Sequence, residues 1–124
     1  MMATVQKLVV VVPFLNEAGN LPVLYERLGR AMAGQPEQWE LLLVDDGSTD
    51  ASPRWVRQKS REDPRVRLLQ LSRNFGHQIA ITAGLDHAGG DAVVIMDADL
   101  QDPPEVIPDL LAKWREGCEV VYAV

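Results

Sequence analysis

A single cysteine, Cys118, among 124 residues leaves no partner for an internal disulfide and argues against a cysteine-based metal cluster. Cys118 reads as a small buried apolar side chain. Basic residues are also in deficit. Twelve Lys and Arg stand against 18 Asp and Glu, a formal charge of −6, and a nucleic-acid groove needs the opposite balance to offset backbone phosphates. No apolar run approaches the roughly 20 residues needed to cross a bilayer. Met1 to Lys7 lacks the charged-then-apolar layout of a secretory leader. The chain as given is therefore expected to be soluble and cytoplasmic. Two phosphate cradles are missing as well: no Gly-x-Gly-x-x-Gly turn follows the first apolar run, and no Gly-x-x-x-x-Gly-Lys-Ser/Thr string occurs. Neither an internal repeat nor a low-complexity tract divides the sequence.

What is present suffices for one globular domain with a single core, at 13.7 kDa and 47% hydrophobic residues. Leu8 to Val12 is a continuous, β-branched apolar run, as in a strand covered on both faces of a parallel sheet, and Pro13 is expected to end it. Leu21, Leu24, Leu28 and Met32 follow at helical spacing, with Gly34 as a stop. Leu41 to Val44 is a second strand, closed by Asp45-Asp46-Gly47. Ser52 before Pro53 is expected to cap the next helix. Val66, Leu68 and Leu71 mark a third strand, which Arg67 and Gln70 place nearer an edge. Gly76 to Ala88 reads as a helix that stops at Gly89-Gly90, and Ala92 to Met96 as a fourth strand. Asp102-Pro103-Pro104-Glu105 has the form of a helix start, with Asp102 as cap and Pro103 at the first helical position. Leu110, Leu111 and Trp114 give that helix an apolar side, closed by Gly117. Val120 to Val124 resembles a fifth strand inside which the chain stops, so a piece of a longer protein is expected, with an exposed edge there that favours self-association.

Strands alternating with helices predict an α/β fold: a doubly wound, mostly parallel sheet with helices on both faces. Ligands in such folds gather at the carboxyl ends of strands, where strand order reverses. Three polar clusters obey that rule here, Asn16-Glu17, Asp45-Asp46 and Asp97-Ala98-Asp99, each directly after an apolar run. A strand order of 3-2-1-4 would line one cleft with all three. Two carboxylates stepping off a buried strand can hold Mg²⁺ or Mn²⁺ against the phosphates of a nucleotide, because hard cations prefer oxygen ligands. An acidic protein that binds a diphosphate must import positive charge, and a metal ion is the simplest supply. That chemistry points to an enzyme acting on a nucleotide-sugar.

Four strings in this order carry a likeness: Val11-Val12-Pro13-Phe14-Leu15-Asn16-Glu17, Leu43-Val44-Asp45-Asp46-Gly47-Ser48-Thr49-Asp50, Ser72-Arg73-Asn74-Phe75-Gly76-His77, and Asp97 through Glu105. Together they resemble glycosyltransferase family 2, inverting enzymes of the GT-A (Rossmann-like) fold, most of all the polyprenyl-phosphate sugar transferases of the dolichol-phosphate mannose synthase and bactoprenol glucosyltransferase group. The resemblance implies that residues 1–124 are the nucleotide-sugar-binding part of a GT-A domain cut short at its C-terminus. It implies a hexose moved with inversion from a UDP- or GDP-linked donor to a polyprenyl phosphate, with Mg²⁺ or Mn²⁺ required. By the same likeness Pro13, Leu15 and Glu17 lie along base and ribose, Asp46 bonds the base edge, and Asp45 supports its turn. Asp97 and Asp99 form the catalytic pair, Asp97 serving the ribose and metal shell while Asp99 and Gln101 ligate the metal. Gln101 and Asp99 would share one side of an extended segment.

Plainer readings accompany these. Asp102 reads as a helix cap, Asp45 and Asp46 taken alone as turn formers before Gly47, and Glu17 as a residue at a helix start. His77 and Arg73 read as loop-organising residues with a route to the diphosphate, His87 as compensation at a helix end, and Trp39, Trp55 and Trp114 as packing rather than a sugar platform. Arg54, Arg57, Arg61, Arg65 and Arg67 read as a solvated face. The full-length protein is expected at the cytoplasmic face of a membrane, and the 124 residues alone to bind donor without completing transfer. Two rivals stand beside this reading: a non-catalytic nucleotide-binding module, and a dehalogenase-like Mg²⁺ phosphatase, whose acidic pair belongs after the first strand rather than the fourth.

Overall fold

The computed structural model describes residues 7–101 and 103–115. Asp102, Gly117, Cys118 and the expected strand at 120–124 lie outside the described residues. Four strands, β1 (Lys7–Phe14), β2 (Gln38–Asp45), β3 (Val66–Gln70) and β4 (Ala92–Ile95), alternate with helices α1 (Leu21–Met32), α2 (Ser52–Glu62) and α3 (His77–Ala88). A 3₁₀ turn at Pro104–Val106 then leads into α4 (Ile107–Arg115). The sheet order is β3-β2-β1-β4 and every pairing is parallel, in register Val10↔Leu41, Val10↔Val94 and Leu43↔Leu68. This is the doubly wound α/β architecture with its reversal of strand order between β1 and β4.

Alternation along β1 explains the two layers. Leu8, Val10 and Val12 face a core built with Leu24 and Leu28 of α1, Val56 of α2 and Ile107 and Leu111 of α4. Val9 and Val11 face the other side with Leu42, Val44, Ala80 and Ala88, under α3. All four residues that gave α1 its expected apolar stripe are buried, and each fully buried leucine contributes roughly 1.5–3 kcal/mol relative to exposure. On the opposite face α3 sits so low that a Cβ on Gly84 would lie 2.5 Å from Val11 Cγ1.

Several boundaries differ from expectation for identifiable reasons. β1 does not end at Pro13 but continues through it to Phe14, with Pro13 paired to Val44. The odd residues of β1 direct their backbone groups towards β4: the N–H groups of Asp91 and Met96 donate to the carbonyls of Lys7 (2.9 Å) and Val11 (3.0 Å). The N–H that Pro13 lacks would therefore point to β4, whose ladder ends at Ile95. Proline is tolerated because it closes that ladder without breaking the pairing to β2, the last bond from β4 being that of the Met96 N–H.

Ser52 is not the cap of α2. It is the first helical residue, buried, and its hydroxyl donates to Asp50 while accepting the Glu17 N–H at 2.9 Å. Asp50 Oδ1 instead takes the Ser52 N–H at 2.8 Å. Pro103 is not helical either: its ψ of 131° is extended, as expected of a residue that precedes another proline. Arg65 and Arg67 are more than a solvated face. Arg65 lies over the Trp39 ring at 4.1 Å and pairs with Asp63, while Arg67 pairs with Glu40 and donates to the carbonyls of His87 and Ala88, satisfying the C-terminus of α3. Gly89, at φ 70°, ends that helix in the left-handed conformation.

Candidate functional site

A cleft of about 470 Å³ opens at the carboxyl ends of β1, β2 and β4. Pro13, Phe14, Leu15 and Glu17 line it from the end of β1, Asp46 from β2, and Asp97, Ala98 and Asp99 from β4. The β3–α3 loop adds Asn74, Gly76 and His77. Of the residues assigned to nucleotide or metal from sequence, Pro13, Leu15, Glu17, Asp46, Asp97 and Asp99 are thus brought together. Asp45 and Gln101 are not among the lining residues.

The wall after β1 is fastened to the β2–α2 loop. Asn16 adopts φ 56°, a conformation asparagine tolerates better than most residues. Its side-chain oxygen accepts the N–H groups of Thr49 (2.8 Å) and Asp50 (3.1 Å), and its own N–H donates to Ser48 Oγ at 2.9 Å. Ala18 N–H reaches Asp50 Oδ2 at 3.2 Å. The Asp50 carboxyl is held below its usual range chiefly by the Ser52 hydroxyl. Leu15 and Glu17, on either side of Asn16, are thereby held against the cleft. Glu17 also accepts from Asn20 Nδ2 at 2.7 Å, across the first turn towards α1.

Asp45 and Asp46 both lie inside, 0% and 6% exposed. Buried carboxylates need hydrogen-bond donors, and each finds them differently. Asp45 accepts the Ser48 N–H at 2.8 Å and Gln70 Nε2 at 3.1 Å, so it fixes the turn after β2 and the tip of β3 rather than facing a ligand. Asp46 accepts the N–H of Phe75 at 2.8 Å and that of Gly76 at 3.2 Å. Gly47 continues the contact: at φ 93°, a Cβ there would stand 2.6 Å from the Asn74 nitrogen. These bonds bring the β3–α3 loop into the cleft wall, with His77 Nε2 3.5 Å from Asp97 Oδ1. His77 itself lines the cleft. Arg73 stacks over Phe75 at 4.7 Å.

The segment after β4 is not extended. Leu100 takes φ 66° and Gln101 N–H donates to Asp99 Oδ1 at 3.2 Å, closing a turn. The two-residue alternation that would set Gln101 beside Asp99 therefore does not apply. Sequence reasoning gives no individual role to Asn74 or Gly76, and places Asn16 only within a polar cluster expected at the cleft. Their signal is present in residue type alone, since asparagine and glycine just past strand ends mark left-handed or tightly approaching backbone.

Chemically, the cleft presents four carboxylates, Glu17, Asp46, Asp97 and Asp99, against one basic lining side chain, His77. No group of three or more His, Cys, Asp or Glu side chains able to hold a metal occurs among the described residues. Asp97 and Asp99 are nevertheless a fitting pair for a hard cation that takes one or two protein carboxylates and completes its shell with phosphate oxygens. Among the described residues no helix is long and apolar enough to cross a membrane.

Residues 9–124 match the model of the glycosyl transferase family 2 family. The chain is 55% identical over 115 residues to an uncharacterized glycosyltransferase, YkcC, of Bacillus subtilis, covering 93% of this chain and 36% of that protein. It is 44% identical over 123 residues to the undecaprenyl-phosphate 4-deoxy-4-formamido-L-arabinose transferase of Salmonella choleraesuis, covering 98% of this chain and 38% of that protein. Among solved structures, it is similar to a Pyrobaculum calidifontis mannosyltransferase in complex with GDP-Man and Mn²⁺, with a TM-score of 0.66 and 30% identity over 90% of this chain and 32% of that one. The chain thus spans little more than a third of the curated relatives it matches. With the parallel sheet, the reversal between β1 and β4 and the acidic cleft at their carboxyl ends, these matches show that the chain belongs to glycosyl transferase family 2.

Proposed function

We propose that these residues form the donor-nucleotide half of a glycosyltransferase that moves a hexose from a UDP- or GDP-linked donor to a polyprenyl phosphate with inversion. The observation that carries this reading is the convergence of Glu17, Asp46, Asp97 and Asp99 on one cleft from three separate strand ends. Relatives whose names specify undecaprenyl-phosphate or bactoprenol support the acceptor class, and a similar structure holding GDP-Man and Mn²⁺ supports donor and metal. In this reading Pro13, Leu15 and Glu17 border the base and ribose, and Asp97 and Asp99 hold the cation. A divalent cation, when bound, neutralises charge on the departing diphosphate.

The acceptor needs little activation. A phosphate monoester has its second pKa near ~6, so at neutral pH it is already a largely dianionic nucleophile. Its oxygen forms the new bond to the anomeric carbon on the face opposite the nucleotide as the bond to the diphosphate oxygen breaks, which inverts the configuration. The chain's own contribution is to hold the donor so that this face stays open. The full-length protein, working on a lipid acceptor, would lie at the cytoplasmic face of a membrane.

Calorimetry with UDP- and GDP-sugars, with and without Mn²⁺, tests the reading. Binding of one nucleotide class that strengthens with the metal is expected, and Asp99→Ala should remove the strengthening. Because Asp99 is exposed, that variant should unfold within about 0.5 kcal/mol of the parent. Metal-dependent binding without turnover by this chain, alongside turnover by the full-length protein, places catalysis in the longer protein. Equal binding with and without metal, or full sugar transfer by the Asp99→Ala full-length enzyme, would refute the metal assignment.

A further inference from the structure

Resting on that reading, we infer that Asn16 and Ser52 are positioning residues for the nucleoside end of the donor: they clasp the β1–α1 loop to the chain entering α2 and thereby set where Leu15 and Glu17 meet the ligand. Leu15 and Glu17 line the cleft, whereas Asn16 and Ser52 are not among its lining residues. Three consecutive N–H groups of the loop end on side chains of the facing segment: Asn16 on Ser48 Oγ at 2.9 Å, Glu17 on Ser52 Oγ at 2.9 Å and Ala18 on Asp50 Oδ2 at 3.2 Å. Asn16 returns the contact, its side-chain oxygen accepting the N–H groups of Thr49 and Asp50 at 2.8 and 3.1 Å. The foot of the clasp is Ser52, 0% exposed, whose hydroxyl donates to Asp50 Oδ1.

Glu17 is the residue this arrangement constrains most. Its N–H goes to Ser52, its carbonyl accepts the N–H groups of Asn20 and Leu21 at 3.0 Å, and its carboxylate accepts Asn20 Nδ2 at 2.7 Å. The backbone on both sides of the side chain is therefore fixed before α1 begins. Asn16, at φ 56°, turns the chain between Leu15 and Glu17, a conformation that asparagine, aspartate and glycine tolerate. The acidic pair proposed for the cation comes from a different strand end, after β4. A wall already held in place loses less freedom when a ligand binds. Slackening the clasp thus weakens the contribution of base and ribose and leaves the cation's share of binding intact.

The test is calorimetry of UDP and GDP binding, each in Mn²⁺ and in EDTA, on the parent chain, Asn16→Gly, Asn16→Asp and Ser52→Ala, with amide hydrogen exchange on the same four proteins. Asn16→Gly keeps the left-handed turn and removes the acceptor, whereas Asn16→Asp keeps both. Asn16→Gly should weaken the preferred nucleotide about fivefold or more, as two lost hydrogen bonds imply, and by the same factor with and without metal. Exchange should accelerate at Thr49 and Asp50 while β1 and β2 stay protected. Asn16→Asp should bind within about threefold of the parent. Ser52→Ala should weaken binding in the same metal-independent way, with faster exchange at Glu17. Affinity of Asn16→Gly equal to the parent's overturns the inference. So does a loss confined to the Mn²⁺ benefit, or one that Asn16→Asp shares in full. If Ser52→Ala unfolds, the two variants at Asn16, an exposed site, decide. If the parent binds neither nucleotide, the functional reading fails and the nucleoside role falls with it, while exchange at Glu17, Thr49 and Asp50 still decides whether the clasp exists.

Discussion

Alanine at position 47 puts a methyl carbon where the backbone of another loop already lies. The Cβ would stand 2.6 Å from the Asn74 nitrogen, 2.9 Å from the Arg73 carbonyl carbon and 3.1 Å from the Asn74 Cα, all main-chain atoms that no rotamer change can move aside. Gly47 also sits at φ 93°, where an L residue pays roughly 1–2 kcal/mol. Overpacking adds about 1–3 kcal/mol, and the stiffer unfolded chain returns roughly 0.4–1 kcal/mol. Gly47→Ala should therefore destabilise by about 2–4 kcal/mol. If the 73–76 segment yields instead, the lost hydrogen bonds to Asp46 replace part of the clash at about 1.5–3 kcal/mol for a charged acceptor, so both routes arrive in one range. Urea unfolding measures it: at a slope near ~2 kcal/mol/M, a loss of about 3 kcal/mol moves the midpoint down by about 1.5 M. A midpoint within roughly 0.3 M of the parent, with unchanged exchange at Phe75 and Gly76, would refute the close approach of these two loops.

Other glycines and one carboxylate give sharper contrasts. Gly29, inside α1, has nothing within 4 Å of the place a methyl group would occupy, so Gly29→Ala should stabilise by about 0.8–1 kcal/mol through helix propensity alone, read as a rise in melting temperature. Gly84→Ala receives the same propensity gain in α3 yet drives a methyl to 2.5 Å from Val11 Cγ1 and 3.1 Å from Val44 Cγ2; a net loss of about 1–2 kcal/mol is expected, and any gain would show that α3 rides higher on the sheet. Arg65 beside Asp63, aided by the Tyr25 hydroxyl at 2.6 Å, holds the Asp63 carboxyl well below the usual range although burial acts against it. A depressed folded-state pKa gives stability that is fully present above the unfolded value near ~4 and is lost as pH falls below it. Asp63→Asn should therefore flatten the acid limb of the stability profile below about pH 4, and Tyr25→Phe should cost about 1–2 kcal/mol at neutral pH, both measured by denaturant unfolding across pH.

Element identity was legible because two periodicities were clean. The α1 stripe Leu21, Leu24, Leu28 and Met32 is buried as its spacing required, and the apolar run of β1 is buried on both faces. Boundaries were less legible because they depend on neighbours. Pro13 looks like a terminator in isolation, yet the proline is harmless once β4 has stopped pairing two residues earlier. Ser52 has the composition of a cap, but a hydroxyl can serve either its own helix or another loop, and here Asp50 and the Glu17 N–H claim it.

The site divides along the same line. Which strand ends would meet followed from the order of apolar runs, because a doubly wound sheet leaves few ways to place them. What each carboxylate would do there did not follow, since Asp45, Asp46, Asp97 and Asp99 carry the same group. Their environments separate them: Asp45 and Asp46 are buried against amide donors supplied by segments up to 30 residues away, while the Asp97 side chain is half-exposed and Asp99 is exposed. A carboxylate surrounded by fixed N–H groups is already satisfied and works as scaffold, whereas one left half-solvated can trade water for a cation. Asp45 therefore serves the turn after β2, Asp46 both holds the β3–α3 loop and lines the cleft, and the pair after β4 is the more solvated, a distinction written in the positions of distant backbone amides rather than in either motif.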